Sequence, residues 1–302
     1  MDTYKLPSLK LQASMTVGDA ARLIFEENTQ HLRVNRHRFC ESYDGAALMQ
    51  MRIAMRRLRV AIGVFKGVLD ETTRKYLKQE FRHFGRLTGA ARDLDVLLRG
   101  LLQTVDAPAV DIEDVRELRQ QIKTLRQVEY SRIKVELVGG RYTAMMEKLD
   151  HLSIDMQEQG APPILPFAIE VTAKGRTKLL KKGEETRDLS VEELHDIRKI
   201  VKRARYHLRF FASLINVEKV RAGYKILVPM QDSLGKINDI GQAVRLLGQI
   251  AGQVPAGQFE HFLNLSAAIL KQAAPQVSEE LASYAISYQL YKDYSLSAED
   301  FS

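Results

Sequence analysis

Tryptophan is absent from this 302-residue chain, and cysteine occurs once, at Cys40. A lone cysteine excludes an intrachain disulfide and fits a reducing compartment. No apolar stretch is long enough to span a bilayer. The start, Met1-Asp2-Thr3-Tyr4-Lys5-Leu6-Pro7, lacks the basic opening and apolar run of a signal peptide. A soluble, cytoplasmic protein without a membrane partner is therefore expected. Strand-like alternation is scarce. There is no glycine-rich phosphate loop and no nucleophile–base pair with credible spacing, which argues against an enzyme acting on phosphate anhydrides or phosphohistidine. The carboxylates that could hold a catalytic cation reduce to Asp93, Asp95 and Asp239, and His195 has no evident ligand partners. A non-catalytic protein with no metal and no cofactor is the expectation.

Positive charge is what the chain has in excess. The formal net charge is +7 and the pI about 9.3. Such a balance favours anionic partners: nucleic acid, polyphosphate or an acidic membrane surface. Hydrophobic residues make up 45% and charged residues 27%, enough apolar material for one sizeable core or two smaller ones.

The charge is repeated. A basic stretch from Leu48 to Arg59 returns 146 residues later, from Leu194 to Arg205. Arg52, Arg56, Arg57 and Arg59 fall on Arg198, Lys202, Arg203 and Arg205. A second motif shares the offset: Gly89 falls on Gly235, Asp93 on Asp239 and Leu94 on Ile240. Two motifs at one offset read as two copies of one helical unit.

Both copies have helical period. Leu48, Met51, Met55, Leu58, Ile62 and Phe65 form one apolar stripe, and Leu194, Ile197, Val201, Ala204, Leu208 and Phe211 form its counterpart. Ser190 followed by Glu193 predicts a capping box at the start of the second basic helix. Asp70 and Glu71 mark the close of one helix and the opening of another. Further helices are expected over 111–137, then, after Gly139-Gly140, over 141–152, and over 169–180. Gly160-Ala161-Pro162-Pro163, followed by Pro166, gives the best boundary. It divides the chain into 1–160 and 161–302, with about four helices in each half packed as two related bundles. Pro255 and Pro275 are expected to punctuate the later helices.

On a helix, positions i, i+3 and i+7 share a face. His195, Arg198, Lys202, Arg205 and Arg209 form such a row, and Arg52, Arg56 and Arg59 form another, with Met49 in the place of His195. Stacked like charges repel, and almost no acid interrupts these rows. An anionic ligand would relieve the repulsion, since Arg offers a planar fork to phosphate oxygens and Lys a point charge. The alternatives are a solvated face, or pairing with acids of neighbouring helices. Arg82, Arg86, Arg92 and Lys236 are further candidates from the second motif. Lys174, Lys178 and Lys182 make an i, i+4, i+8 row that is either solvated or ligand-binding. Gly89 and Gly235 are expected to admit a neighbouring backbone, and Asp93 and Asp239 to orient basic residues of an adjacent helix.

At these residues the chain resembles the CHAD family, the conserved-histidine α-helical domain. Its first signature, His-x-x-Arg-x-x-x-[Arg/Lys]-x-x-Arg, is matched from His195 to Arg205, and from Met49 to Arg59 except for the histidine. Gly89 to Leu97 is similar to the Gly-x-x-Arg-Asp-x-Asp-Val segment, and Leu234 to Asp239 to its second-half counterpart. The resemblance covers roughly residues 14–290. It implies an all-α fold of two four-helix bundles related by a pseudo-twofold axis, with a basic pore or groove between them, the halves together forming one domain. It also implies binding of inorganic polyphosphate, often at polyphosphate granules. Carried over, the contacts fall on Arg52, Arg56, Arg59, His195, Arg198, Lys202 and Arg205. Some members carry a triphosphate-processing domain ahead of this one. None is expected here, because the first helix should begin near Met15 and no Glu-x-Glu-x-Lys strand motif appears. Nucleic-acid binding is the competing reading. The lack of tryptophan, with only Tyr206 inside the charged rows, leaves few side chains for base stacking. An enzyme acting on phosphate anhydrides or phosphohistidine is a third.

Overall fold

The computed structural model describes residues 9–100, 102, 111–152, 162–183, 189–252 and 259–302. The chain is all-α: ten α-helices and no strand among the described residues. In order they are α1 (Val17–Ser42), α2 (Gly45–Val64), α3 (Glu71–Leu87), α4 (Gly89–Arg99), α5 (Ile112–Val138), α6 (Gly140–Asp150), α7 (Ile164–Lys182), α8 (Val191–Phe210), α9 (Val217–Ala251) and α10 (Phe259–Asp293). None of them is long and apolar enough to cross a membrane.

Local chemistry sets most of the starts. Thr16 and Asp19 form a capping box for α1, and Ser190 and Glu193 form the expected one for α8. Asp44, Asp70, Asp111 and Asn216 accept early backbone N–H groups of α2, α3, α5 and α9. The basic helices α2 and α8 begin and end at the same offset of 146 residues: Gly45 with Val191, Val64 with Phe210. The starts of α1 and α7 are tied to one another. Val17 N–H donates to the Pro162 carbonyl (2.9 Å) and Ile164 N–H to the Met15 carbonyl (3.1 Å).

Four expectations need correction. The first half carries six helices, α1–α6, rather than about four, while the second carries the expected four, α7–α10. The α3–α4 pair occupies the register of unbroken α9, and α5–α6 that of unbroken α10. The first break lies at Thr88, whose hydroxyl donates to the Phe84 carbonyl (2.8 Å), where the matched residue is Leu234. The second break lies at Gly139-Gly140, where the matched residues are Ala285 and Ile286, both good company for a continuing helix. Asp70 opens α3 as expected, but α2 has already closed at Val64. Helix α7 begins at Ile164, five residues before the expected start, because Pro166 lies in the first turn, where its missing N–H would have no intrahelical acceptor. Pro275 does not end α10, and Pro229 lies within α9. The two helices pack along one another, so tertiary burial offsets the lost backbone bonds. Gly160, Ala161 and Pro255 lie outside the described residues.

The apolar stripes converge as their spacing requires. The larger core draws on both halves, with Leu48, Met51, Leu58, Val201, Leu208 and Met230 buried in it. At its centre three rings meet: Phe65, which closes α2, the matched Phe211, which closes α8, and Phe167 of α7. Their centroids lie 5.5 to 6.4 Å apart. A smaller core joins α4 and α5 to α9 and α10 through Leu94, Leu97, Leu118, Leu247, Ile250 and Leu265. Each core is shared between the halves, and the larger one holds α2 against α8.

Candidate functional site

The apolar stripe of α8 points into the larger core, so its neighbouring row is carried to the junction with α2. There the two rows meet. Arg52, Arg56 and Arg92 of the first half are electrostatic neighbours of Arg198, Lys202 or one another, and Arg205 adjoins Lys202. Six basic side chains therefore share one region. Asp93 and Asp239 are the carboxylates that oppose them, and these two also feel one another.

Burial and mutual repulsion act on every member of the cluster that shifts. Burial, then the nearby Arg56, holds the Arg52 guanidinium down at about 10. Arg198 is lowered by burial too, although Asp239 lies 4.0 Å away. Lys202 is the extreme case. Burial first, then Arg56 and Arg198, push its ammonium down to about 6. Asp93 is raised, because burial outweighs the attraction of Arg52.

Secondary contacts hold the row in place. Arg52 Nη1 donates to the Thr88 hydroxyl (2.6 Å) and the Gly85 carbonyl (3.1 Å), so the break between α3 and α4 grips the first-half arginine. His195 Nδ1 lies 3.0 Å from Asn238 Oδ1. The Asn238 amide donates to Asp239 (3.4 Å), which leaves its oxygen toward the ring. At the matching first-half positions stand Met49 and Arg92. The histidine and its amide acceptor are replaced together. A histidine beside Arg92 would face a cation rather than an acceptor.

The remaining candidates disperse. Arg59 joins the edge of the cluster through Arg56, and its neighbours there are Arg82 and Arg203. Arg82 and Arg86 are exposed on α3. Arg209 lies beside Glu27 and Arg57. Lys236 is engaged elsewhere: its ammonium pairs with Glu280 of α10 at 2.5 Å. Lys174 pairs with Glu170 within α7. Lys178 faces a separate cleft between α7 and α8.

Asp239 does orient a basic residue of α8, and Asp93 feels Arg52 of α2. Asp95 belongs to the scaffold, buried and accepting from Tyr130 (2.7 Å) and Arg126 (3.3 Å). The expectation that Gly89 and Gly235 admit another backbone is overturned. A Cβ at Gly89 would meet nothing within 4 Å, and one at Gly235 would meet only an Arg198 nitrogen, at 4.0 Å. Close approach occurs instead at Gly45, where a Cβ would collide with the Tyr130 hydroxyl. Among the described residues no three His, Cys, Asp or Glu side chains are grouped to hold a metal ion.

Three cations escape the i, i+3, i+7 rule. Arg57 and Arg203 lie one residue off the row, about 100° around the helix, yet they complete two matched contacts. Arg59 feels Arg203, and Arg205 feels Arg57, the same pair with the halves exchanged. Arg245 of α9 faces Asp93. The repeat itself was the available signal, because Arg57 and Arg203 align within it.

Comparison with known proteins agrees with this architecture. The family model described as "CHAD domain" matches residues 23–248. A CHAD-domain crystal structure from the plant Ricinus communis superposes with a TM-score of 0.84 and 27% identity, covering 95% of this chain and 96% of that one. PptA from Streptomyces chartreusis shares the fold at a TM-score of 0.67 and 13% identity, over 91% of this chain and 100% of that one. An uncharacterized protein of Mycobacterium tuberculosis (strain CDC 1551 / Oshkosh), MT2285, is 26% identical over 194 residues. That match spans 61% of this chain and 37% of the mycobacterial protein's length. The ten helices, the basic rows on α2 and α8, and a family match over three-quarters of the residues lead to one assignment: the chain belongs to the CHAD domain family.

Proposed function

We propose that this protein binds inorganic polyphosphate, without catalysis, along a basic groove between two copies of one helical unit. The observation that carries the reading is the meeting of Arg52, Arg56, Arg92, Arg198, Lys202 and Arg205, from both halves, around Asp93 and Asp239 as the carboxylates that oppose them among the described residues. Such an arrangement raises the free energy of the empty protein, and a linear polyanion lowers it by meeting several cations at once. His195, on the same row, adds an imidazole able to hydrogen-bond a phosphate oxygen. The lack of tryptophan weighs against nucleic-acid bases as the partner. Attachment to polyphosphate granules is the cellular form of this reading.

The test replaces Arg56 and Lys202 with glutamate together. Long-chain polyphosphate binding, followed by calorimetric titration, is expected to be lost while the helical circular dichroism is kept. Unchanged affinity in the folded variant overturns the reading. A salt series against duplex DNA at equal charge concentration separates a shaped phosphate site from a merely positive surface. Both ligands weaken with salt as counterion release becomes less favourable, and polyphosphate is expected to remain the tighter at physiological salt.

A further inference from the structure

Helices α7 and α8 enclose a cleft of about 430 Å³, within the size range of ligand sites. Lys178 and Lys182 stand one turn apart on α7, and Lys199 and Arg203 one turn apart on α8, so two pairs of cations face one another across it. Leu189, Ile197 and Ile200 contribute its apolar surface. Two carboxylates also line it, and both are engaged. Glu193 caps α8 through Ser190, and Asp196 pairs with Lys199 at 2.9 Å. Lys182 neighbours both acids without displacing either contact. Four cations thus stand against two occupied carboxylates among the described residues.

The first half does not repeat the cations of this cleft. The positions matching Lys178, Lys182 and Lys199 hold Leu32, Arg36 and Ile53. Leu32 is fully buried, and Arg36 is turned inward to donate to the Leu137 carbonyl from two nitrogens. The cation set of the α7/α8 cleft is therefore an addition to the second half, not part of the shared pattern. It is also connected to the cation cluster. Arg203 lines the cleft and adjoins Arg59, which in turn adjoins Arg56.

We propose that the α7/α8 cleft is a second phosphate site. A long polyphosphate chain leaves the central cluster past Arg59 and Arg203 and enters it, whereas tripolyphosphate fills the central cluster alone. This proposal rests on the polyphosphate reading above. It makes the protein a one-sided reader of chain length, with extra contacts available only on the second half.

Lysine acetylation of the wild-type protein, read by mass spectrometry, tests it directly. Long-chain polyphosphate is expected to protect Lys178 and Lys182, tripolyphosphate to leave them labelled, and exposed Lys123 on α5 to label equally in both. A variant with Lys178→Glu and Lys182→Glu is expected to lower the ratio of long-chain to tripolyphosphate affinity by about tenfold, the scale of losing two exposed charge contacts. If long-chain polyphosphate binds the wild type without protecting these lysines, or the ratio is unchanged, the cleft is not used and only this proposal fails. Equal protection by both ligands also overturns it, since the cleft would then be an independent anion site. If neither ligand binds the wild type, the polyphosphate reading fails and the cleft proposal falls with it.

Discussion

Helices α2 and α8 have nearly the same charge pattern and the same length, yet they spend their cations differently. Arg57 of α2 is pressed between Glu27, Tyr206 and Arg209, and its Nε and Nη1 are buried with no hydrogen-bond partner among the described residues. The matched Arg203 of α8 is exposed and lines the α7/α8 cleft. Arg52 is held by a hydroxyl and a carbonyl, while the matched Arg198 leans on Asp239. Met49 is 41% exposed, while the matched His195 is fixed by Asn238. The difference teaches that a repeated charge row sets a face but not its chemistry. The helices packed around each copy decide which cation is desolvated, which is paired and which stays open to a ligand.

The largest effect is expected where the two halves are most alike. Phe65 and Phe211 close matched helices and bury their rings in one cluster with Phe167. Truncating either to alanine should cost about 3–5 kcal/mol of unfolding free energy in urea. The double variant should cost less than the sum, because the rings share a contact. Strictly additive losses would mean that the halves are not coupled at this point.

The next effect lies in the difference between Arg56 and Lys202. Lys202 is held at about 6, against its ordinary value of 10.5, so between these values the folded protein carries fewer protons than the unfolded chain. Stability from this group therefore rises with pH across that window and is lost as pH falls toward 6. A bound polyanion would favour the charged ammonium, so binding near pH 7.5 is expected to take up a proton. Calorimetry in buffers of different ionisation enthalpy measures this uptake. Lys202→Arg makes the second half like the first, because guanidinium stays charged, and should abolish this contribution while keeping affinity. Equal uptake by that variant would show that Lys202 is not the group that takes up the proton.

The smallest effect separates Arg57 from Arg203. Arg57→Met removes a buried guanidinium with two unpartnered nitrogens and should stabilise the free protein by about 1 kcal/mol. Arg203→Met should change stability by less than about 0.5 kcal/mol. Chemical denaturation of the two single variants checks both. Destabilisation by Arg57→Met would show that Glu27 and Tyr206 hold that cation more tightly than burial opposes it.

Much of the fold was legible in local signals. The Ser190–Glu193 box starts α8 because a hydroxyl and a carboxylate three residues apart satisfy two otherwise unpaired N–H groups, whatever lies beyond. The Gly139-Gly140 break works in the same local way. Pro275 misleads for the opposite reason. Its cost is local, but the packing of α10 on α9 that outweighs it is not. Gly89 misleads as well, since its sequence cannot say that the space beside it is open. The rows on α2 and α8 were legible as separate faces, Arg52 and Arg56 on one and Arg198, Lys202 and Arg205 on the other. That Lys236 would turn to Glu280, and Arg57 inward, was not.

The amino-acid order by itself determined the helices, their apolar stripes, and a line of positive charge drawn twice at one offset, because hydrophobic period, capping and charge spacing act over a few residues along one helix. Only the tertiary structure decided that the two lines would meet. The larger core, shared between the halves, brings α2 against α8, and burial among other cations, not spacing along a helix, pushes Lys202 to about 6, while the packing of α7 beside α8 lines their cleft with four basic side chains.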